Sequence, residues 1–207
     1  MDTLSRIFGS PNRVKIMRLF LFNPDKVYGN DDVVRLTNTP LFEVVIETRS
    51  LELAGLIKRR LVTREVQSKF KKKIYLAKRK VTGWTLNANF PHLLPLQTLL
   101  INTLLLKSGE IVRKINQAGS IKLIVIAGVF LQKNESRVDL LIVGDRISKS
   151  TIERVLQRME SEIGKELKYS LLTTEDFRYR LSVYDKLVRD VFDYPHRKIL
   201  DRIGIEV

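Results

Sequence analysis

The chain has no cysteine and only two histidines, His92 and His196. Without thiols there is no disulfide scaffold, no thiolate zinc site and no cysteine nucleophile. His92 follows Pro91 and reads as an ordinary helix-start residue rather than a ligand. The sequence shows no carboxylate pair beyond surface charges and no glycine-rich phosphate loop, so neither a metal nor a cofactor is expected. The most apolar run, Leu93 to Leu106, is too short to span a bilayer and contains Pro95, Gln97, Thr98, Asn102 and Thr103. It reads as a buried helix, and no membrane partner is expected. Met1 to Ser5 lack the basic stretch and apolar core of a signal peptide. A basic, cysteine-free chain suits a reducing cytoplasm.

Acids are scarcest where bases are densest. Lys58 to Lys80 holds eleven lysines and arginines against one acid, Glu65, and so carries ten of the chain's fourteen net positive charges. Apolar residues punctuate the stretch: Leu61, Val62 and Val66 before the Ser68-to-Lys73 run, then Ile74, Tyr75, Leu76, Val81 and Trp84. β-Branched and aromatic residues around a lysine-rich turn predict a two-stranded hairpin with a charged tip. Its natural partner is a polyanion, and charge focused on one element favours nucleic acid.

At 207 residues and 44% hydrophobic content, the chain has room for one large or two small domains. Helical spacing marks residues 10–22, with Ser10 as cap and Pro11 in the first turn. A short helix follows from Asn30 to Leu36, capped by Asn30 or Asp31. A third runs to about Ala54, with Thr39 as cap, Pro40 at the first helical position and Gly55 beyond the end.

Three helices followed by a basic hairpin resemble the winged helix-turn-helix fold of ArsR- and MarR-like transcriptional regulators. The likeness is strongest at Ser10-Pro11-Asn12-Arg13-Val14-Lys15-Ile16 and at Leu51-Glu52-Leu53-Ala54-Gly55-Leu56-Ile57. It covers residues 1–86 and implies binding to double-stranded DNA, with the third helix as recognition helix and the hairpin as wing. The DNA-contacting residues on this reading are Arg13, Thr48, Arg49, Ser50, Lys58, Arg60, Arg64, Lys69, Lys71, Lys72, Lys73 and Lys78. The third helix departs from the pattern: Leu41, Phe42, Val44, Val45 and Ile46 are apolar, and Glu43 and Glu47 would repel phosphate. The alternative reading is a core helix of the same fold used for protein contacts. Any DNA contact then shifts to the wing and the first helix.

Residues 87–120 read as a helical linker. Its leucines at 93, 94, 96, 99, 100, 104, 105 and 106 would join two domains or form the seam of a homodimer. Beyond it, Ile121 to Gly128 and Arg137 to Gly144 read as buried strands. Ser150 and Glu153 form a capping box for a helix to Ile163. Leu167 to Leu172 is a third strand, Thr174 caps a helix to Leu181, Tyr184 to Phe192 is helical, and Pro195 opens a last short helix. The order from Ile121 onward is similar to the minimal nucleotidyltransferases, so the fold expected for the whole chain is α+β, with a nucleotidyltransferase-like α/β domain over 121–207.

That family requires a Gly-Ser pair after the first strand, two acids one residue apart on the second and a third acid on a later strand, to hold the metal that bridges the triphosphate. Here Gly128 matches, but Val129 replaces the serine. Asp139 matches the second acid, but Arg137 replaces the first, and Lys168 and Ser170 stand at the third. The domain therefore reads as a non-catalytic relative in which Asp139 pairs with a base such as Arg137. Gly128, Lys133 and Arg137 could hold a nucleotide or another anion, although a dimerising scaffold is favoured over that. The competing reading is an active, metal-dependent nucleotidyltransferase that modifies protein or RNA and is recruited by the N-terminal module.

Overall fold

A computed structural model describes residues 3–70, 73–102, 108–131 and 136–205, with the backbone alone at 64–70, 73–79 and 102. The architecture is α+β. The chain divides into two compact units: Met1–Ile101 with Ser161–Lys165, and Asn102–Glu160 with Glu166–Val207.

In the first unit, a one-and-a-half-turn helix α1 (Thr3–Ile7) precedes α2 (Pro11–Phe22). Ser10 caps α2 by accepting the Arg13 N–H, and Pro11 occupies the first turn, where its missing N–H costs nothing. Helix α2 is buried almost all round, through Val14, Ile16, Met17, Leu19, Phe20 and Leu21. It is the post on which α3 (Asn30–Thr37) and α4 (Leu41–Leu53) are hung. The cap of α3 is Gly29, whose N–H donates to Asp32 at 2.8 Å, rather than Asn30 or Asp31. Asn38 ends α3 in the left-handed region. Pro40, not Thr39, is the residue preceding α4. Thr39 is buried instead, its hydroxyl directed at Asn12 of α2.

Gly55, at φ +80°, turns the chain out of α4 into β1 (Ile57–Phe70), which pairs antiparallel with β2 (Lys73–Leu86). The hairpin is anchored at its base. Ile57, Trp84 and Leu86 join the α2 core, and Tyr28 exchanges two backbone hydrogen bonds with Trp84 at 2.9 and 2.7 Å. Gly83 permits this approach, because a Cβ there would meet Val27 Cγ1 at 2.7 Å. Helix α5 (Leu93–Asn102) closes the unit. Leu100 is fully buried, Leu93, Leu96 and Ile101 pack on the same core, and Arg18 donates to the Leu100 carbonyl at 3.0 Å. Of the leucines read as a linker or dimer seam, these three serve their own core and Leu94 is exposed. Leu104, Leu105 and Leu106 lie outside the described residues.

The first helix described in the second unit is α6 (Ser108–Ile115). Its four-stranded sheet has the order β5-β4-β3-β6, from β3 (Ser120–Ala127), β4 (Leu140–Asp145), β5 (Tyr169–Leu172) and β6 (His196–Asp201). The β3–β4 and β3–β6 pairs are antiparallel, whereas β4–β5 is parallel. Leu123, Val125, Leu141 and Val143 pack with Phe177, Val188 and Val191 of α8 (Thr174–Ser182) and α9 (Lys186–Asp193). The alternate residues Ile124, Ile126, Leu140 and Ile142 are buried too, so both faces of β3 and β4 are covered, as their unbroken apolar runs require.

Several expectations are corrected here. Pro195 opens strand β6, not a helix: β3 has a free edge, and its backbone groups outweigh the weak local preference of His196-Arg197-Lys198. Strand β4 starts at Leu140, which leaves Arg137, Val138 and Asp139 in the preceding turn. Helix α7 (Lys149–Ile163) begins before the Ser150 capping box; Ser148 supplies the cap, its carbonyl accepting the Thr151 and Ile152 N–H groups. Thr173, rather than Thr174, caps α8. Helix α9 begins at Lys186 instead of Tyr184, with Asp185 as its cap.

Candidate nucleic-acid interface

The described charges of the hairpin lie where it leaves the core. Lys58, Arg60, Thr63 and Lys80 are exposed, as is Leu61 between them. Arg59 behaves differently: its guanidinium lies 5.2 Å over the Trp84 ring and pairs with Glu52 at 2.8 Å, tying β1 to α4. Backbone register sets Arg64 opposite Arg79, Glu65 opposite Lys78, Lys69 opposite Ile74 and Phe70 opposite Lys73. Of these pairs only Arg64 and Arg79 are like charges at opposed positions, which disfavours pairing, whereas Glu65 and Lys78 are opposite charges, which favour it. The strands are 14 residues each, about 46 Å at 3.3 Å per residue. Lys71 and Lys72, at the turn, lie outside the described residues.

Helix α4 sorts its polar residues unexpectedly. Glu47 is buried and accepts from Arg13 Nε at 2.6 Å, and Asn12 donates to Glu43. Arg13 also donates to the Phe8 carbonyl at 3.2 Å. Both acids therefore turn toward α2, where a cation and an amide receive them, and neither is placed to repel a phosphate from the outer face. The same pairing occupies Arg13, which was expected to contact DNA. Thr48 is corrected as well: it is 1% exposed, and its hydroxyl donates to the Val44 carbonyl at 2.7 Å, so it has no surface to offer a base edge. Arg49 is exposed and Ser50 half-buried. Around Arg49 the outer face is apolar: Phe42, Val45, Ile46 and Leu53 are all exposed. A phase count would have flagged the inward acids, because Glu47 falls on the helical side of Val44 and Leu51.

In the second unit, Gly128, Val129 and Asp139 do come together, but around a purpose internal to the fold. The Val129 N–H donates to Asp139 Oδ1 at 2.8 Å and the Lys168 N–H to Oδ2 at 2.9 Å. The Asp139 backbone completes the stitch: its N–H donates to the Lys168 carbonyl at 2.6 Å, and its carbonyl accepts from Ala127 at 2.9 Å. Asp139 thus ties the end of β3 to the start of β5. A Cβ on Gly128, at φ +51°, would overlap Asp139 Oδ1. The amide that would greet a phosphate is filled by the protein's own carboxylate. Arg137 does not pair with Asp139; it pairs with Asp190 of α9 at 2.8 Å. Lys133 lies outside the described residues. Among the described residues, no group of three or more His, Cys, Asp or Glu is arranged to hold a metal ion.

A second clasp escaped the sequence reading. Asp145, at the end of β4, accepts the Thr174 N–H at 3.1 Å and its hydroxyl at 2.9 Å, and these bonds hold its carboxyl below the ordinary value. Glu160 is pushed the other way by burial, against the pull of the Leu167 N–H. Among the described residues, no helix is long and apolar enough to cross a membrane. Set against known proteins, the chain matches no family model, no curated protein and no solved structure.

Proposed function

We propose that the chain is a double-stranded-DNA-binding transcriptional regulator of the winged helix-turn-helix class, with the β1–β2 hairpin as its principal contact. The observation that carries this reading is the hairpin itself: ten net positive charges over 58–80 on one ribbon, anchored at its base, with Lys58, Arg60 and Lys80 turned to solvent. Arg49 supplies the base-edge contact that α4 can offer. The outer face of α4 is otherwise apolar, so the hairpin provides most of the affinity and DNA shape most of the sequence choice. The second unit is a non-catalytic, nucleotidyltransferase-like domain. Support comes from Asp139, whose two oxygens serve two backbone amides, and from Arg137 at the position of the first acid.

Titrating a labelled duplex at several salt concentrations tests the reading. Each phosphate contact contributes about 0.9 to the log–log salt slope. Reversing Lys71, Lys72 and Lys73 to glutamate lowers affinity for every duplex and flattens the slope by about 3. An unchanged slope removes the hairpin from the interface. Incubation with labelled nucleoside triphosphates and Mg²⁺ or Mn²⁺ tests the second unit, and transfer abolished by Asp139→Asn would overturn the non-catalytic assignment.

A further inference from the structure

Between α8 and α9 of the second unit lies an open cavity of about 400 Å³. Neither the DNA contact nor the Asp139 corner uses it, and its size falls among small-molecule sites. Helix α9 presents two parallel stripes to it. Val188 and Phe192, four residues apart and 2% and 9% exposed, form an inner apolar stripe. Arg189 and Asp193, each one residue further on, form a charged stripe beside the first. Leu181 of α8, packed on the same core, adds to the apolar lining.

Tyr184 also lines the cavity, and its backbone is strained. It follows α8 with φ +53°, in the left-handed region that glycine normally fills at a helix end and that a bulky residue rarely adopts. Yet Tyr184 is 78% exposed, so burial in the core does not offset the strain. Residues held in this way gather where ligands are clamped. The two ion pairs bordering the cavity differ as well. Arg180 is held by Asp176 at 3.2 Å and Asp185 at 3.5 Å, and Asp185 also caps α9 by accepting the Leu187 and Val188 N–H groups. That cluster serves the fold. Arg189 and Asp193 meet at 3.3 Å with side chains 62% and 57% exposed, and an exposed pair of this spacing contributes little, so it opens at small cost. Opened, it offers a cation and an anion one helical turn apart, beside an apolar floor. A ligand with a single charge is attracted by one and repelled by the other. A ligand that carries both charges and an apolar body satisfies the two together.

We propose that this cavity binds a free α-amino acid with a large apolar side chain. Its carboxylate meets the Arg189 guanidinium, which receives it through paired hydrogen bonds. Its ammonium meets Asp193, its side chain lies on Val188 and Phe192, and the Tyr184 ring covers it. The site belongs to the second unit alone. It gives that unit a binding role without catalysis, and it stands whether or not the first unit binds DNA.

Titration calorimetry of the full chain with phenylalanine and with leucine tests the proposal. The expected dissociation constant for phenylalanine is about 0.1–1 mM, in keeping with a ligand of its size. Phenylpropanoate, which lacks the ammonium, and phenethylamine, which lacks the carboxylate, each bind about 10-fold more weakly or worse. Arg189→Ala lowers phenylalanine affinity by about the same factor, with circular dichroism unchanged because residue 189 is exposed. Tyr184→Gly separates strain from binding: glycine relieves the backbone, so the chain melts no lower than the wild type, while phenylalanine affinity falls about 5-fold. Absence of saturable binding by either amino acid up to about 5 mM would overturn the proposal. So would a singly charged analogue that binds as tightly as phenylalanine, full affinity in Arg189→Ala, or a Tyr184→Gly chain that melts lower or binds as before.

Discussion

At the β1–β2 hairpin, charged side chains leave the core and meet solvent, whereas at the Gly128–Asp139 corner a buried carboxylate meets the backbone of its own fold. Both places look like binding sites in the sequence: one by its density of charge, the other by a Gly–Asp pattern at strand ends. The difference lies in what surrounds each polar group. Exposed Lys58, Arg60 and Lys80 remain hydrated and available to a polyanion. Asp139 is 5% exposed, and there a charge persists only if its hydrogen bonds are met from within. The hairpin is thus open to a partner, and the corner is closed by its own carboxylate.

Substitutions at each place sharpen this contrast. Reversing Lys58, Arg60 and Lys80 together to glutamate takes away the three phosphate contacts proposed for them, and the expected outcome in a duplex titration is an affinity about 100-fold lower near physiological salt. Urea unfolding barely changes, because exposed substitutions of this kind cost within about 0.5 kcal/mol. The corner gives the opposite result. Asp139→Ala leaves the Val129 and Lys168 amides without acceptors and costs about 2–5 kcal/mol in urea unfolding, with no effect on duplex binding. Gly128→Ala costs about 2–4 kcal/mol, because a Cβ meets Asp139 Oδ1 and φ is positive. Part of that cost vanishes when Asp139 is already alanine, which a double-mutant cycle detects.

Smaller effects follow from the ion pair and the clasp. Arg13→Ala strands the buried Glu47 carboxylate and destabilises the first unit by about 1–3 kcal/mol. Asp145 gives a pH signature. Its carboxyl is held below the ordinary value of 3.8 by the Thr174 N–H and hydroxyl. A depressed acid favours the folded state above its unfolded pKa, and that contribution fades as pH falls through the folded value. Asp145→Asn therefore lowers stability at neutral pH, converges on the wild type as pH falls below about 4, and so flattens the acid limb of the stability–pH curve.

Much of the fold was legible from local pattern. Ser10-Pro11 fixed the start of α2, Gly55 the exit from α4, and β-branched and aromatic residues around a lysine-rich turn the hairpin, because caps, positive φ and strand propensity act within a few residues. The strands at 121–127 and 140–145 were readable for a related reason: unbroken β-branched runs have few other uses. Where polar side chains would point was not readable. Glu43 and Glu47 looked repulsive in a list of residues, but their partners, Asn12 and Arg13, lie some thirty positions earlier in the chain. Arg137 was assigned to its near neighbour Asp139, and only the packing of α9 brings Asp190 to it.

The amino-acid sequence alone determined where the charge is, most of the helix and strand segments, and that thiol chemistry is excluded. These depend on composition and on interactions spanning a few residues. Tertiary structure decided the rest. Helix α4 is apolar on every side, with Leu41, Phe42, Val44, Val45, Ile46, Leu51 and Leu53 in thirteen residues, so its sequence does not say which side turns inward. Packing on α2 buries Val44 and Leu51 and leaves Phe42, Ile46 and Leu53 outside. Strand β6 exists because β3 has an edge to fill. The carboxylate of Asp139 became a strut because folding brought two amides from distant strands within hydrogen-bonding distance of it.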